Sequence, residues 1–308
     1  MSLLETLLHQ GRSILMEGAL GERLKREYGL SIDGEVAMAS LVYEDQGKAA
    51  LAKLWGQYRL IAEAYHLPLL VTTPTRRANK DRVLHSGYTE SIMAENVKFL
   101  KQVMKDTKMP CIIGGLMGCK GDAYTGEGAL DQEEARSFHS WQANLFAKAG
   151  VDVLFAGIMP TLPEACGMAQ AMSDTGIPYI ISFTIQRDGR LIDHTAIHDA
   201  IEMIDQSVDQ KPVCYMSNCV HPDIVYEALD QPWNQSELVR TRFKGIQANT
   251  SSLAYCELDH CEDLKSSDPV SLAESIRRLK DVFDFQIFGG CCGTNHRHME
   301  EIAKRIIT

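Results

Sequence analysis

Two neighbouring thiols, Cys291 and Cys292, stand in the stretch FGGCCGTNH, with Gly289 and Gly290 before them and Gly293 after. A disulfide between them would close a strained small ring. Trans neighbours hold their Cα atoms about 3.8 Å apart, whereas a relaxed bridge spans about 4.4–6.8 Å. A third thiol, Cys219, follows Ser217-Asn218. Three thiolates with one open position suit a catalytic zinc site, because zinc takes sulfur at about 2.3 Å in tetrahedral geometry and leaves a place for substrate. Adjacent strand residues point to opposite faces, so both Cys291 and Cys292 reach one metal only if the pleat breaks there, and the flanking glycines permit that. The competing reading is packing: free cysteines are among the most buried residues, and Gly-Cys-Cys fits a tight turn.

Other groups carry weaker signals. Cys256 and Cys261 flank four residues that include His260, a loose spacing without the second pair that a structural zinc finger needs. His296 and His298 open the helical stretch HRHMEEIAKRI and are expected as solvated first-turn residues rather than ligands. Cys111, Cys119, Cys166 and Cys214 are expected as packing thiols. Arg76 and Arg77 end the run Thr73-Pro74-Thr75-Arg76-Arg77, where guanidinium groups would bind a carboxylate or sulfonate, or else point to solvent or pair with acidic loops.

Eight short apolar runs must position these groups: 13–17 (SILME), 69–73 (LLVTT), 111–116 (CIIGGL), 152–156 (DVLFA), 178–184 (PYIISFT), 212–217 (PVCYMS), 243–248 (FKGIQA) and 285–289 (FQIFG). Between them lie segments of helical period such as 47–65 and 132–149. Strand–helix alternation along the whole chain predicts parallel strands, and eight units predict a single α/β domain, a (β/α)8 TIM barrel over 1–308. An open doubly wound sheet is disfavoured because EGALGERL, after the first strand, lacks the G-x-G-x-x-G spacing. In a barrel, function sits at the C-terminal strand ends. The first run ends at Glu17-Gly18, the second at Thr73, the sixth at Asn218-Cys219 and the eighth at Cys291-Cys292. The polar, acidic stretch 255–269 is expected as a loop after the seventh strand.

Bulk properties narrow the function further. The chain has 308 residues, 45% of them apolar, and a net charge of −10 without a basic patch, which disfavours nucleic acid as a partner. No apolar run reaches the roughly 18–20 residues of a membrane span. MSLLETLLHQGRS lacks the basic start of a signal peptide and reads as a short amphipathic helix. Nine cysteines, an odd number with no export signal, point to a reducing cytoplasm with thiols free or metal-bound.

With GGCCGT at 289–294, Asn218-Cys219 followed by His221-Pro222, and SFTIQRDGRLIDHT at 182–195, the chain resembles the homocysteine S-methyltransferase family from about residue 14 to 307. That family includes betaine–homocysteine and S-methylmethionine-dependent methyltransferases and a module of cobalamin-dependent methionine synthase. The resemblance implies a (β/α)8 barrel that holds Zn²⁺ through Cys219, Cys291 and Cys292, with a thiol such as homocysteine in the fourth position. A metal-bound thiol is deprotonated, so no separate general base is needed to attack a methyl group on a sulfonium or ammonium donor. It also implies small-molecule partners and a place in methionine biosynthesis. With no room for pterin and cobalamin modules, a small methyl donor is expected. Glu17, Gly18, Thr73, Asn218, Arg76 and Arg77 are the expected substrate-binding residues.

Three segments depart from the family pattern. Glu17-Gly18 stands where Asp-Gly is usual, one methylene longer. Gly157, in Ala156-Gly157-Ile158-Met159-Pro160, stands where a Glu commonly contacts the substrate amino group, while Glu164 matches a helix Glu found in family members. Thr73-Pro74-Thr75-Arg76-Arg77 replaces a Thr-Asn-Thr-aromatic run. These departures keep open an acidic thiol acceptor lacking the amino group, and a different reaction direction. A non-catalytic metal- or thiol-binding barrel is a further reading. Oligomeric state is not legible.

Overall fold

The computed structural model describes residues 1–251 and 267–307. Eight parallel strands close into a barrel in sequence order: β1 (Ile14–Met16), β2 (Leu69–Thr72), β3 (Cys111–Gly118), β4 (Val153–Met159), β5 (Tyr179–Phe183), β6 (Cys214–Val220), β7 (Phe243–Ala248) and β8 (Ile287–Gly290). Closure is made by β1 on β8, with Ile14 opposite Ile287 and Leu15 opposite Phe288. All eight expected strands form, although the expected 212–217 runs on to Val220 and the expected 285–289 starts only at Ile287. The expected helical segments form as Asp45–Ala64 and Gln132–Ala149.

Side-chain alternation sorts the strands into two layers. Ile14, Met16, Leu70, Ile112, Val153, Phe155, Ile180, Cys214, Met216 and Ile287 fill the barrel interior, joined by Leu4 and Leu7 of the N-terminal helix Leu3–His9. Ser2 and Glu5 cap that helix reciprocally, and Leu4 and Leu7, one turn apart, plug the bottom of the barrel. The alternate residues, among them Leu15, Val71, Leu154, Tyr179, Tyr215 and Phe288, pack outward against the helices. No described helix is long and apolar enough to cross a membrane. The acidic stretch 255–269 and the pair Cys256 and Cys261 with His260 fall outside the described residues, except for Ser267, Asp268 and Pro269.

Candidate metal centre

The sulfur atoms of Cys219, Cys291 and Cys292 lie within 4.8 Å of one another at the C-terminal mouth of the barrel. Cys219 arrives through a bulge in β6: the register with β7 slips between Asn218 and Val220, and Cys219 takes a φ of 61°. That extra residue turns the thiol off the regular pleat. Cys291 and Cys292 arrive differently from the expected broken pleat, because β8 simply ends at Gly290 and the two cysteines occupy the turn that follows. Cys291 N donates to Ala248 O at 2.7 Å, Thr250 N to Cys292 O at 3.1 Å, and Thr294 N to Cys291 O at 3.1 Å. Of the bracketing glycines only Gly293 has a positive φ, 82°, and a Cβ there would collide with Thr250 Oγ1.

Cys219 Sγ is 3.4 Å from Cys292 Sγ, and Cys291 Sγ is 4.0 Å from Cys292 Sγ. Sulfurs on one tetrahedral zinc at about 2.3 Å stand roughly 3.8 Å apart, so the three thiols already hold the spacing of a sulfur face. Hydrogen bonds from the Cys291 and Cys292 thiols hold Cys219 well below the usual thiol range, and the same bonds push Cys291 and Cys292 up. A divalent ion is what lets all three be thiolates together. In the remaining described cysteines the leading cause is burial, which pushes Cys111, Cys119 and Cys214 up to about 12 and Cys166 up to about 11, as expected of packing thiols.

A fourth residue at this centre is Tyr124, whose hydroxyl is hydrogen-bonded to Cys219. It sits on the loop after β3, which reaches across the mouth to β6. Asp122 Oδ1 accepts from the amides of Tyr124 and Thr125, each at 2.8 Å. Buried Glu164 accepts from Lys120 N at 2.7 Å and pairs with His139 Nε2 at 3.0 Å, pinning the loop's other end. Nothing in the sequence local to Tyr124 encodes the reach of its loop to a cysteine on another strand.

The expected substrate-binding residues gather around the same mouth, several with their polar atoms already engaged. Glu17 is buried; its carboxylate accepts from Thr72 Oγ1 at 2.6 Å and from Thr72 N at 3.1 Å. Burial raises its pKa to about 7, against the hydrogen bonds from Thr72, which lower it. Thr73 Oγ1 shares a 2.7 Å bond with Thr75 Oγ1 and accepts from Leu116 N at 3.1 Å. Asn218 spans three strands, accepting from Ile158 N at 2.9 Å and donating to Gln247 Oε1 at 2.7 Å. It thereby braces Ile158, a β-branched residue held at a φ of 58° where β4 slips against β5. Gly18 packs under Tyr58, and the site of a side chain at Gly157 is filled by Leu116, whose Cδ1 lies 2.9 Å from where a Cβ would be. Arg76 is half-buried, its Cγ against Gly118, without a hydrogen bond or ion pair among the described residues, while Arg77 is exposed. One expectation needs correction: His298 is not solvated but buried, closing the capping box of the last helix, His296–Ile306, with Nε2 3.0 Å from Ser267 O. His296 is partly buried, and neither histidine joins the thiols.

Solved structures of the homocysteine methyltransferase MmuM from Escherichia coli share this fold over 98% of this chain and 99% of theirs. The TM-score is 0.78 at 17% identity for the oxidized form and 0.77 at 16% for the metallated form. No curated protein matches the chain. The family model of homocysteine S-methyltransferase matches residues 14–306, which takes in all eight strands and all three clustered cysteines. The chain therefore belongs to the homocysteine S-methyltransferase family and is a methyltransferase enzyme.

Proposed function

We propose that this enzyme binds Zn²⁺ through Cys219, Cys291 and Cys292 and moves a methyl group from a small sulfonium or ammonium donor to a thiol such as homocysteine. The observation that carries this reading is the convergence of three sulfurs, from two separate strand ends, within 4.8 Å at the barrel mouth. Bound there, zinc supplies the positive charge that keeps the acceptor thiol deprotonated at neutral pH. The chain's own residues do the aligning. The β6 bulge and the turn after β8 present the three sulfurs from one side, and Tyr124 covers Cys219 from the loop after β3. Glu17, Gly18, Thr73, Asn218, Arg76 and Arg77 form the rim on which the acceptor is held and oriented, so that chemistry is left mainly to positioning. A single cytoplasmic barrel domain acting on small molecules, with no nucleic-acid partner, completes the reading.

Two observations favour an acceptor recognised more by its carboxylate than by its amino group. Leu116 fills the space beside Gly157, and the half-buried Arg76 has no ion pair among the described residues. Zinc stoichiometry on freshly reduced protein, with Cys291→Ala in parallel, tests the metal assignment. One zinc per chain, lost in the variant, is expected; no zinc in either after anaerobic reconstitution would end it. A donor and acceptor screen that includes homocysteine and its des-amino analogue then decides between the two acceptors.

A further inference from the structure

The turn that carries Cys291 and Cys292 is tied to the segment that follows the neighbouring strand β1 by residues outside the thiol cluster. Glu22 lies in the first turn of the helix Gly21–Tyr28, after β1, and its Oε2 accepts from Gly293 N at 2.6 Å. This is a short, charge-assisted hydrogen bond to the amide that immediately follows Cys292. Arg26 Nε sits 3.3 Å from Glu22 Oε1, one helical turn on, which fixes the carboxylate from behind. Two parallel ties join the same segments: Ala19 N donates to Thr294 Oγ1 at 3.0 Å, and Gly290 N donates to Glu17 O at 3.0 Å. Thr294 Oγ1 in turn donates to Cys291 O at 2.7 Å. Gly293 itself has a positive φ, a conformation that glycine adopts readily and other residues resist.

We infer that Glu22 is a positioning residue for the metal centre: its hydrogen bond to Gly293 N clamps the dicysteine turn in the geometry that lets Cys291 and Cys292 ligate one ion together. The inference rests on the zinc reading above. Outer partners of this kind govern metal affinity by orienting the ligands, and their loss typically weakens binding about 10–100-fold. The clamp also joins the metal turn to the segment that bears Glu17 and Gly18, so one short stretch of chain supports both the metal and the rim.

The test is zinc affinity by chelator competition on the wild type, Glu22→Ala, Glu22→Gln and Arg26→Ala, read beside the thiolate-to-metal absorption of the cobalt(II) forms. Metal-free melting temperatures serve as the control. Glu22→Ala is expected to weaken zinc about 10–100-fold and to change the cobalt spectrum, with little change in metal-free stability. Glu22→Gln keeps a carbonyl acceptor for Gly293 N and is expected to restore most of the affinity, and Arg26→Ala to fall between. Wild-type affinity in Glu22→Ala would overturn the clamp. Equal losses in Glu22→Ala and Glu22→Gln would also overturn it, because charge rather than the hydrogen bond would then be responsible. Absence of zinc from the wild type would instead defeat the metal assignment itself.

Discussion

At the residue scale, Glu17 shows what a buried carboxyl at the mouth does to stability. Its carboxyl is buried and held by Thr72, and burial lifts its pKa from an ordinary 4.5 to about 7. A raised acid binds its proton more tightly in the folded state than in the unfolded state. Between about pH 4.5 and pH 7 the folded chain therefore carries more protons, and stability falls as pH rises through that window. Above it, the cost of keeping the carboxylate charged and buried is fully present, on the order of 3 kcal/mol. Glu17→Gln, which can still accept from Thr72, should thus raise the melting temperature at pH 8 and much less at pH 4.5. Thermal melts at both pH values check this, and an equal effect at the two would show that Glu17 is not the titrating burden. The same residue is expected on the acceptor-binding rim, so the variant should also weaken acceptor binding while zinc content stays at the wild-type level.

At the scale of elements, the turn after β8 depends on Gly293. An L side chain at a φ of 82° costs about 1 kcal/mol or more, and a Cβ here also strikes Thr250 Oγ1. Gly293→Ala is expected to lower zinc affinity at least tenfold and to lower the metal-free melting temperature by a few degrees. Gly293→Ala combined with Thr250→Ala should recover part of both losses, since it relieves the collision but not the backbone strain. Unchanged zinc affinity in Gly293→Ala would mean the turn is not what aligns the two cysteines. The glycine bracket was visible in the sequence, and so were the eight strands, because buried parallel strands read as short apolar runs between helical periods. Strand ends were less legible: Cys219 lies inside β6 only because a bulge absorbs one residue, and bulges leave no periodic trace. Tyr124 and Glu22 escaped for a different reason, since each acts on an element distant in sequence from its own. His298 misled because a first-turn histidine reads as solvated until the segment that buries it, at Ser267, is in place.

At the scale of the whole molecule, stability and chemistry are housed at opposite ends. The N-terminal helix closes the bottom of the barrel with Leu4 and Leu7, against an interior layer that includes Ile14 and Ile287. The three clustered thiols lie at the other mouth, with Cys291 and Cys292 beyond Gly290. Between them stand packed layers such as Met16, Phe155 and Met216, all without solvent exposure. The surroundings of a trimmed side chain relax only partly, so a change at one end need not reach the other while the barrel stays closed. Leu4→Ala removes a buried side chain and leaves a cavity, a change worth about 2–5 kcal/mol against a net stability on the order of 5–15 kcal/mol. The protein should remain folded, with its urea midpoint lowered and the slope of the transition unchanged. Zinc affinity and acceptor binding should stay within about twofold of the wild type, because nothing at the mouth has moved. A parallel fall in zinc affinity would show instead that the bottom plug sets the stagger of β1 against β8, and through it the place of the dicysteine turn. The division into a stabilising face and a working face would then fail for this barrel. The pairing of Ile14 with Ile287, directly beneath the turn, makes β1–β8 the seam along which such coupling would have to travel.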